Sequence, residues 1–97
     1  MAIDTKKGII KNLVARIICF VYSAGDFHGT DKILMGRYAS DEFLSNLESR
    51  FINSQVKLDS RNNPSTICGI PMQTSKEIQD REIHFMKNGK AILKLKV

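Results

Sequence analysis

The chain has 97 residues, 42% of them hydrophobic and 26% charged. That is enough apolar side chain for one buried core, too little length for two, and too ordinary a composition for a disordered tail, so a multidomain enzyme is excluded. Fifteen Lys and Arg against ten Asp and Glu leave a net charge of +5, which favours anionic partners.

The first element runs from about Lys7 to Tyr22. Ile10, Leu13, Val14, Ile17, Ile18 and Val21 recur at helical spacing, with Lys11, Asn12, Ala15 and Arg16 on the other side, the pattern of an amphipathic helix. Its second half, Ile17 to Tyr22, is a continuous β-branched and aromatic run, so a strand from Ala15 to Ser23 is the alternative; periodicity favours the helix. Lys6, Lys7, Lys11 and Arg16 before the run Ile17 to Ala24 also give the outline of a signal peptide. That run is at the short limit of the ~7–15 apolar residues such a segment needs, and it reads as structure. It falls far below the ~20 residues that cross a bilayer, so no membrane span is expected. The apolar stripe is expected to pack on the protein's own sheet rather than on lipid or in a partner's groove.

Gly25 closes the element, and Asp26 to Asp31 is a loop by composition. Lys32 to Tyr38 predicts a short strand weakened by Gly36. Ser40 begins a second helix, with its hydroxyl as cap, Asp41 and Glu42 at the positive end of the dipole, and Phe43, Leu44, Leu47, Phe51 and Ile52 as its apolar stripe; it is expected to end near Asn53. Val56 to Leu58 alternates briefly, and Arg61 to Ser65 is a turn. Ile67 to Met72 predicts a strand that Pro71 restricts to an edge or bulge. Asn88-Gly89 between EIHFM and AILKLKV predicts a β-hairpin.

Two loops fit that hairpin and set different faces. A two-residue turn at Asn88-Gly89 pairs Met86 with Ala91 and Ile83 with Lys94, an apolar residue against a charge. A three-residue loop, Lys87 to Gly89, pairs Met86 with Lys90, Phe85 with Ala91 and Ile83 with Leu93. The second gathers Ile83, Phe85, Ala91, Leu93, Leu95 and Val97 on one face and is preferred. The opposite face then carries Glu82, His84, Met86, Lys90, Ile92, Lys94 and Lys96, with Lys87 at the tip. This basic strip has two readings: lysines that keep a sheet edge soluble, or cations aimed at an anionic partner. No aromatic platform accompanies them, since Phe85 points to the core face and Tyr22 and Tyr38 lie elsewhere, so base stacking is not expected. Met86 and Ile92 suit a protein contact.

Charge along the chain agrees with this placement. Residues 1–37 have a net charge of +3, residues 38–60 of −2, and residues 61–97 of +4. The acidic middle coincides with the second helix.

Asp26, His28 and Asp31 form the one cluster of carboxylates with a histidine. They read first as turn formers and a surface residue, because a metal site needs three or four ligands and an outer shell. Gly25, Gly29 and Gly36 lack the spacing of a phosphate loop, and Ser23 and Ser40 have no base partner. His84 reads as a strand residue. Neither enzymatic activity nor a cofactor or metal is expected. Cys19 and Cys68 lie in apolar surroundings without metal-site spacing, so both are expected as buried, reduced thiols, pointing to a cytoplasmic setting.

Cys68-Gly69-Ile70-Pro71-Met72, followed by Thr74-Ser75, Ile83, Phe85 and the Asn88-Gly89 hairpin, resembles the C-terminal pattern of small uncharacterised bacteriophage proteins. The resemblance covers residues 68–97, and Met72 stands where that pattern more often has a smaller β-branched residue. It implies a phage or mobile-element accessory protein acting on its host, in the host cytoplasm, and transfers no catalytic residue.

The sequence therefore predicts a single α+β domain over residues 1–97: two amphipathic helices on a small antiparallel sheet with a C-terminal β-hairpin. The expected function is non-enzymatic recognition of a protein with an acidic surface, or of a second copy of the chain. Met86 and Ile92 are the expected apolar contacts, with Lys87, Lys90, Lys94 and Lys96 the complementing charges. The alternative is a small nucleic-acid-binding protein using the same lysines on phosphates.

Overall fold

The computed structural model describes residues 12–23, 29–52 and 55–97. The elements in chain order are α1 (Leu13–Ser23), β1 (Lys32–Met35), α2 (Arg37–Asn46), a 3₁₀ turn (Ser49–Phe51), β2 (Val56–Leu58), β3 (Pro64–Ile67), β4 (Ile70–Thr74), β5 (Glu82–Lys87) and β6 (Lys90–Lys96). The strands form one six-stranded sheet in the order β2-β3-β4-β1-β5-β6. The class is α+β, as expected, but the sheet is mixed rather than antiparallel. β1 runs parallel to β4, pairing Ile33 with Met72, and antiparallel to β5, pairing Ile33 with Phe85. No local pattern announces this, because the helix and hairpin that separate β1 from β4 can return the chain in either direction.

Residues 17–22 are helical. The β-branched run is overridden by packing: Leu13, Val14 and Ile17 are buried, and Phe20 meets Phe85 edge-on with ring centroids 6.3 Å apart. The described helix α1 spans Leu13–Ser23; the expected start at Lys7 lies outside the described residues. Its start is held by Asn12, whose Oδ1 accepts the Ala15 N–H at 3.1 Å, and by Asn46, whose Oδ1 accepts the Leu13 N–H at 2.7 Å. Asn12 Nδ2 donates in return to the Asn46 carbonyl at 2.8 Å. The two asparagines thus tie the start of α1 to the end of α2 while satisfying groups that a helix leaves open.

Helix α2 starts earlier and ends sooner than the expected Ser40 to Asn53. Its N-cap is Gly36, and the Asp80 carbonyl accepts the Ala39 N–H at 2.9 Å. Ser40 is therefore inside the helix, with its hydroxyl 2.8 Å from that of Thr74. At the far end Asn46 is engaged by α1, and Leu47 already has an extended backbone. Phe43 is fully buried and Leu44 is 41% exposed, so the expected stripe is narrower in the helix, while Phe51 is buried from the 3₁₀ turn.

The expected strand Ile67–Met72 is two strands, β3 and β4, joined by a two-residue turn at Cys68-Gly69 with φ of +52° and +81°. Such a turn needs positive φ at both positions, and a cysteine at the first hides the signal. Pro71 is opposite Thr66 of β3, and pairing with β1 begins only at Met72. The proline is thus at a local edge, as its missing N–H requires. Both cysteines are thiols, but neither is buried: Cys19 is exposed and Cys68 half-buried. Cys19 lies two residues past the buried Ile17, about 200° round the helix and so away from the core.

Both helices pack on one face of the sheet, against Ile33, Met35, Ile67, Met72, Ile83 and Phe85, with Leu93 and Leu95 partly buried beside them. No described helix is long and apolar enough to cross a membrane.

Candidate functional site

The hairpin satisfies both of its sequence signals at once. Asn88 and Gly89 have φ of +53° and +81° and form a two-residue turn between Lys87 and Lys90. Met86 pairs with Ala91, but Phe85 pairs with Leu93 and Ile83 with Leu95, leaving Ile92 as an extra residue in a bulge on β6. The preferred three-residue loop, with Ile83 opposite Leu93, is thereby corrected. The turn adopts the geometry that Asn-Gly favours, and the bulge restores Leu93 and Leu95 to the core face.

This register sorts the candidate residues. Ile83, Phe85, Leu93 and Leu95 face the helices as expected, but Ala91 does not: it is exposed opposite Met86. Lys87 and Lys90 face each other beside the turn, one step out of phase with Met86, so by strand alternation they point away from the face that carries Lys94 and Lys96. The Lys87 side chain lies against Gly29.

The face opposite the helices therefore holds Met86, Ile92, Lys94 and Lys96 from the hairpin and omits Lys87 and Lys90. β1 and β4 add residues to it. Gln73, Leu34, His84 and Lys94 form one row across four strands, and Lys32, Met86 and Ala91 form the next. Leu34 and Met86 are half-buried, Ile92 is 41% exposed, and Lys32, Lys94 and Lys96 are exposed. An apolar centre is thus rimmed by three cations. Lys32 and Leu34 were readable as alternating strand residues; their place beside the hairpin was not, because it depends on β1 inserting between β4 and β5.

Among the described strand residues Glu82 is the carboxylate on this part of the face, and it is engaged. His84 Nε2 is 2.9 Å from Glu82 Oε1, two residues along the same strand and hence on the same side. That hydrogen bond is the main cause holding the Glu82 carboxyl below its ordinary range; the charges of His84, Lys94 and Lys96 add to it, and partial burial opposes it. Among the described residues neither Lys94 nor Lys96 is within ion-pair distance of a carboxylate. Their charges are available.

The other candidates resolve into structural roles. Asp26 and His28 lie outside the described residues, while Asp31 Oδ2 accepts the Asn88 N–H at 2.9 Å and so ties the hairpin turn to the start of β1. No group of three or more His, Cys, Asp or Glu side chains among the described residues is arranged to hold a metal. A cavity of about 440 Å³ beside α2 is lined by Ser40, Thr74, Asp59 and Asn63 over Met35 and Met72. Its polar groups serve one another: Ser40 bonds Thr74, and Asp59 Oδ1 accepts the N–H groups of Arg61 and Asn63 at 2.8 and 2.9 Å. Cys68 is pushed above its ordinary range by burial, which the hydrogen bond with Tyr22 partly offsets, so its thiol is a poor nucleophile.

No protein-family model, curated protein or solved structure matches the chain.

Proposed function

We propose that this protein is a non-enzymatic binding module that docks an acidic protein surface on the sheet face opposite its helices. The observation that carries the reading is the combination on that face: Lys32, Lys94 and Lys96, exposed around Leu34, Met86 and Ile92, with no described helix over them. Apolar centre and charged rim are the division of labour of a protein interface, the first excluding water and the second selecting and steering the partner. A second copy docking face to face would bring lysines against lysines, which favours a different protein. The resemblance of residues 68–97 to small bacteriophage proteins gives the proposal its concrete form: an accessory protein that binds, and thereby inhibits, a host protein in the host cytoplasm.

A nucleic acid is the second reading, favoured by the same three cations. Among the described residues the strands carry no Phe, Tyr or Trp on this face, so it would be a contact to phosphates alone. The test is an affinity capture from lysate, with and without nuclease, using the parent chain, a Met86→Ala/Ile92→Ala variant and a Lys94→Glu/Lys96→Glu variant. For a protein partner, capture survives nuclease and falls about tenfold or more in both variants, as central and complementary contacts require. Capture abolished by nuclease, or unchanged in the Met86/Ile92 variant, would overturn the reading.

A further inference from the structure

We infer that the partner is engaged at the outer edge of β6 by strand addition, through an extended segment with carboxylates at alternate positions. The inference rests on the acidic-partner reading above and specifies how that partner is held.

β6 is the terminal strand of the sheet and runs for seven residues, Lys90–Lys96. Apart from the bulged Ile92, its inner side is engaged with β5. The Val97 N–H donates to the Arg81 carbonyl at 2.7 Å, and hydrogen-bonded and non-bonded pairs alternate along an antiparallel ladder. Glu82 opposite Lys96 and His84 opposite Lys94 are therefore non-bonded pairs, while Ile83–Leu95 and Phe85–Leu93 are bonded ones. It follows that Lys94 and Lys96 direct their own N–H and C=O groups outward, to the edge. Among the described residues nothing pairs with them there.

The residues that offer the backbone also offer the charge. Lys94 and Lys96 project their side chains to the open face and point their peptide groups at any added strand. In either direction of approach, the two residues of that strand opposite them are two positions apart and on the same face. Carboxylates fit both places; the residue between them, opposite Leu95, turns towards the helix side and fits an apolar side chain. The same two lysines disfavour β6 pairing with another copy of itself, since registers centred on Leu95 or Lys94 set lysine directly opposite lysine. An exposed edge is a template for added strands, and here its charge pattern excludes the chain's own edge and selects an acidic one.

The full chain is titrated with a synthetic peptide of alternating Glu and Val, and with one of the same composition whose Glu residues are contiguous. Binding by the alternating peptide is expected to exceed that by the other. Amide exchange at Lys94 and Lys96 is expected to slow about tenfold or more on binding, as formation of ladder bonds requires. Lys94→Pro removes an outward N–H without breaking a bond to β5, whereas Lys94→Gln removes the charge alone. The proline variant should bind about tenfold more weakly than the glutamine variant, the worth of one lost bond. Binding with equal affinity by both variants, without slowed exchange at Lys94 and Lys96, would overturn strand addition and leave the acidic-partner reading standing. Failure of both peptides to bind would overturn both.

Discussion

Gly36 and Asp80 approach so closely that a methyl group on the Gly36 α-carbon would lie 2.5 Å from the Asp80 carbonyl oxygen, and nearer still to that of Gln79. Gly36 has an ordinary φ of −66°; it is glycine for space, at the junction where β1 ends, α2 begins and the segment before β5 crosses. Both obstructing atoms are backbone and cannot rotate away. Gly36→Ala is expected to cost about 3 kcal/mol, at the upper end for overpacking. Gly69→Ala, with φ of +81° and open space around it, should cost only the conformational strain, about 1–2 kcal/mol. Denaturant unfolding of the two variants checks the order.

Phe43 and Leu44 are neighbours on α2 with opposite fates, the first fully buried and the second 41% exposed. Phe43→Ala should destabilise by about 3–5 kcal/mol, because transfer and cavity costs add. Leu44→Ala should stay within about 0.5 kcal/mol. Equal losses in thermal or denaturant unfolding would contradict the observed end of the helix stripe.

The Glu82–His84 bond predicts an acid dependence with a definite sign. A carboxyl held below its unfolded value contributes stability that is present above the unfolded pKa and is lost as pH falls through the folded one. The loss therefore lies on the acid side, beginning below the ordinary glutamate range near about pH 4.3. In His84→Gln the Glu82 carboxyl should titrate closer to its ordinary value, and the acid branch of the stability curve should flatten. A carboxyl-detected NMR titration of parent and variant measures both protonation states directly.

The two thiols should differ in reactivity. Cys19 is exposed on α1, whereas Cys68 is half-buried, hydrogen-bonded to Tyr22 and raised in pKa. Iodoacetamide in the native protein is expected to modify Cys19 first, because the thiolate is the reacting form. Tyr22→Phe removes the bond that lowers the Cys68 pKa, so Cys68 should become slower still. Peptide mapping over time reads both residues in one experiment.

Much of the fold was legible where the signal was local. The stripe Leu13, Val14, Ile17 named α1 despite the β-branched run, and the alternation Ile83, Phe85, Leu93, Leu95 named the core face of the hairpin. Errors arose where two local signals competed. Asn88-Gly89 argued for one register and the alternation for another; the bulge at Ile92 accommodates both, at the expense of Lys90, which leaves the basic face. Cys68-Gly69 makes a turn of the same kind, but with a residue that does not advertise positive φ. Ser40 has the chemistry of a cap, yet the cap is Gly36, because the segment at Gln79–Asp80 leaves no room for a side chain.

The sequence by itself determined which residues alternate, where the last hairpin turns and which of its side chains are apolar, since these follow from backbone periodicity within a few residues. Tertiary structure alone decided that β1 lies between β4 and β5, bringing Lys32 and Leu34 beside Met86, His84 and Lys94. That neighbourhood depends on pairings between residues far apart in the chain, Ile33 with Met72 and with Phe85. Those pairings are chosen by the shared burial of one face beneath two helices, and no window of sequence contains both sides of that choice.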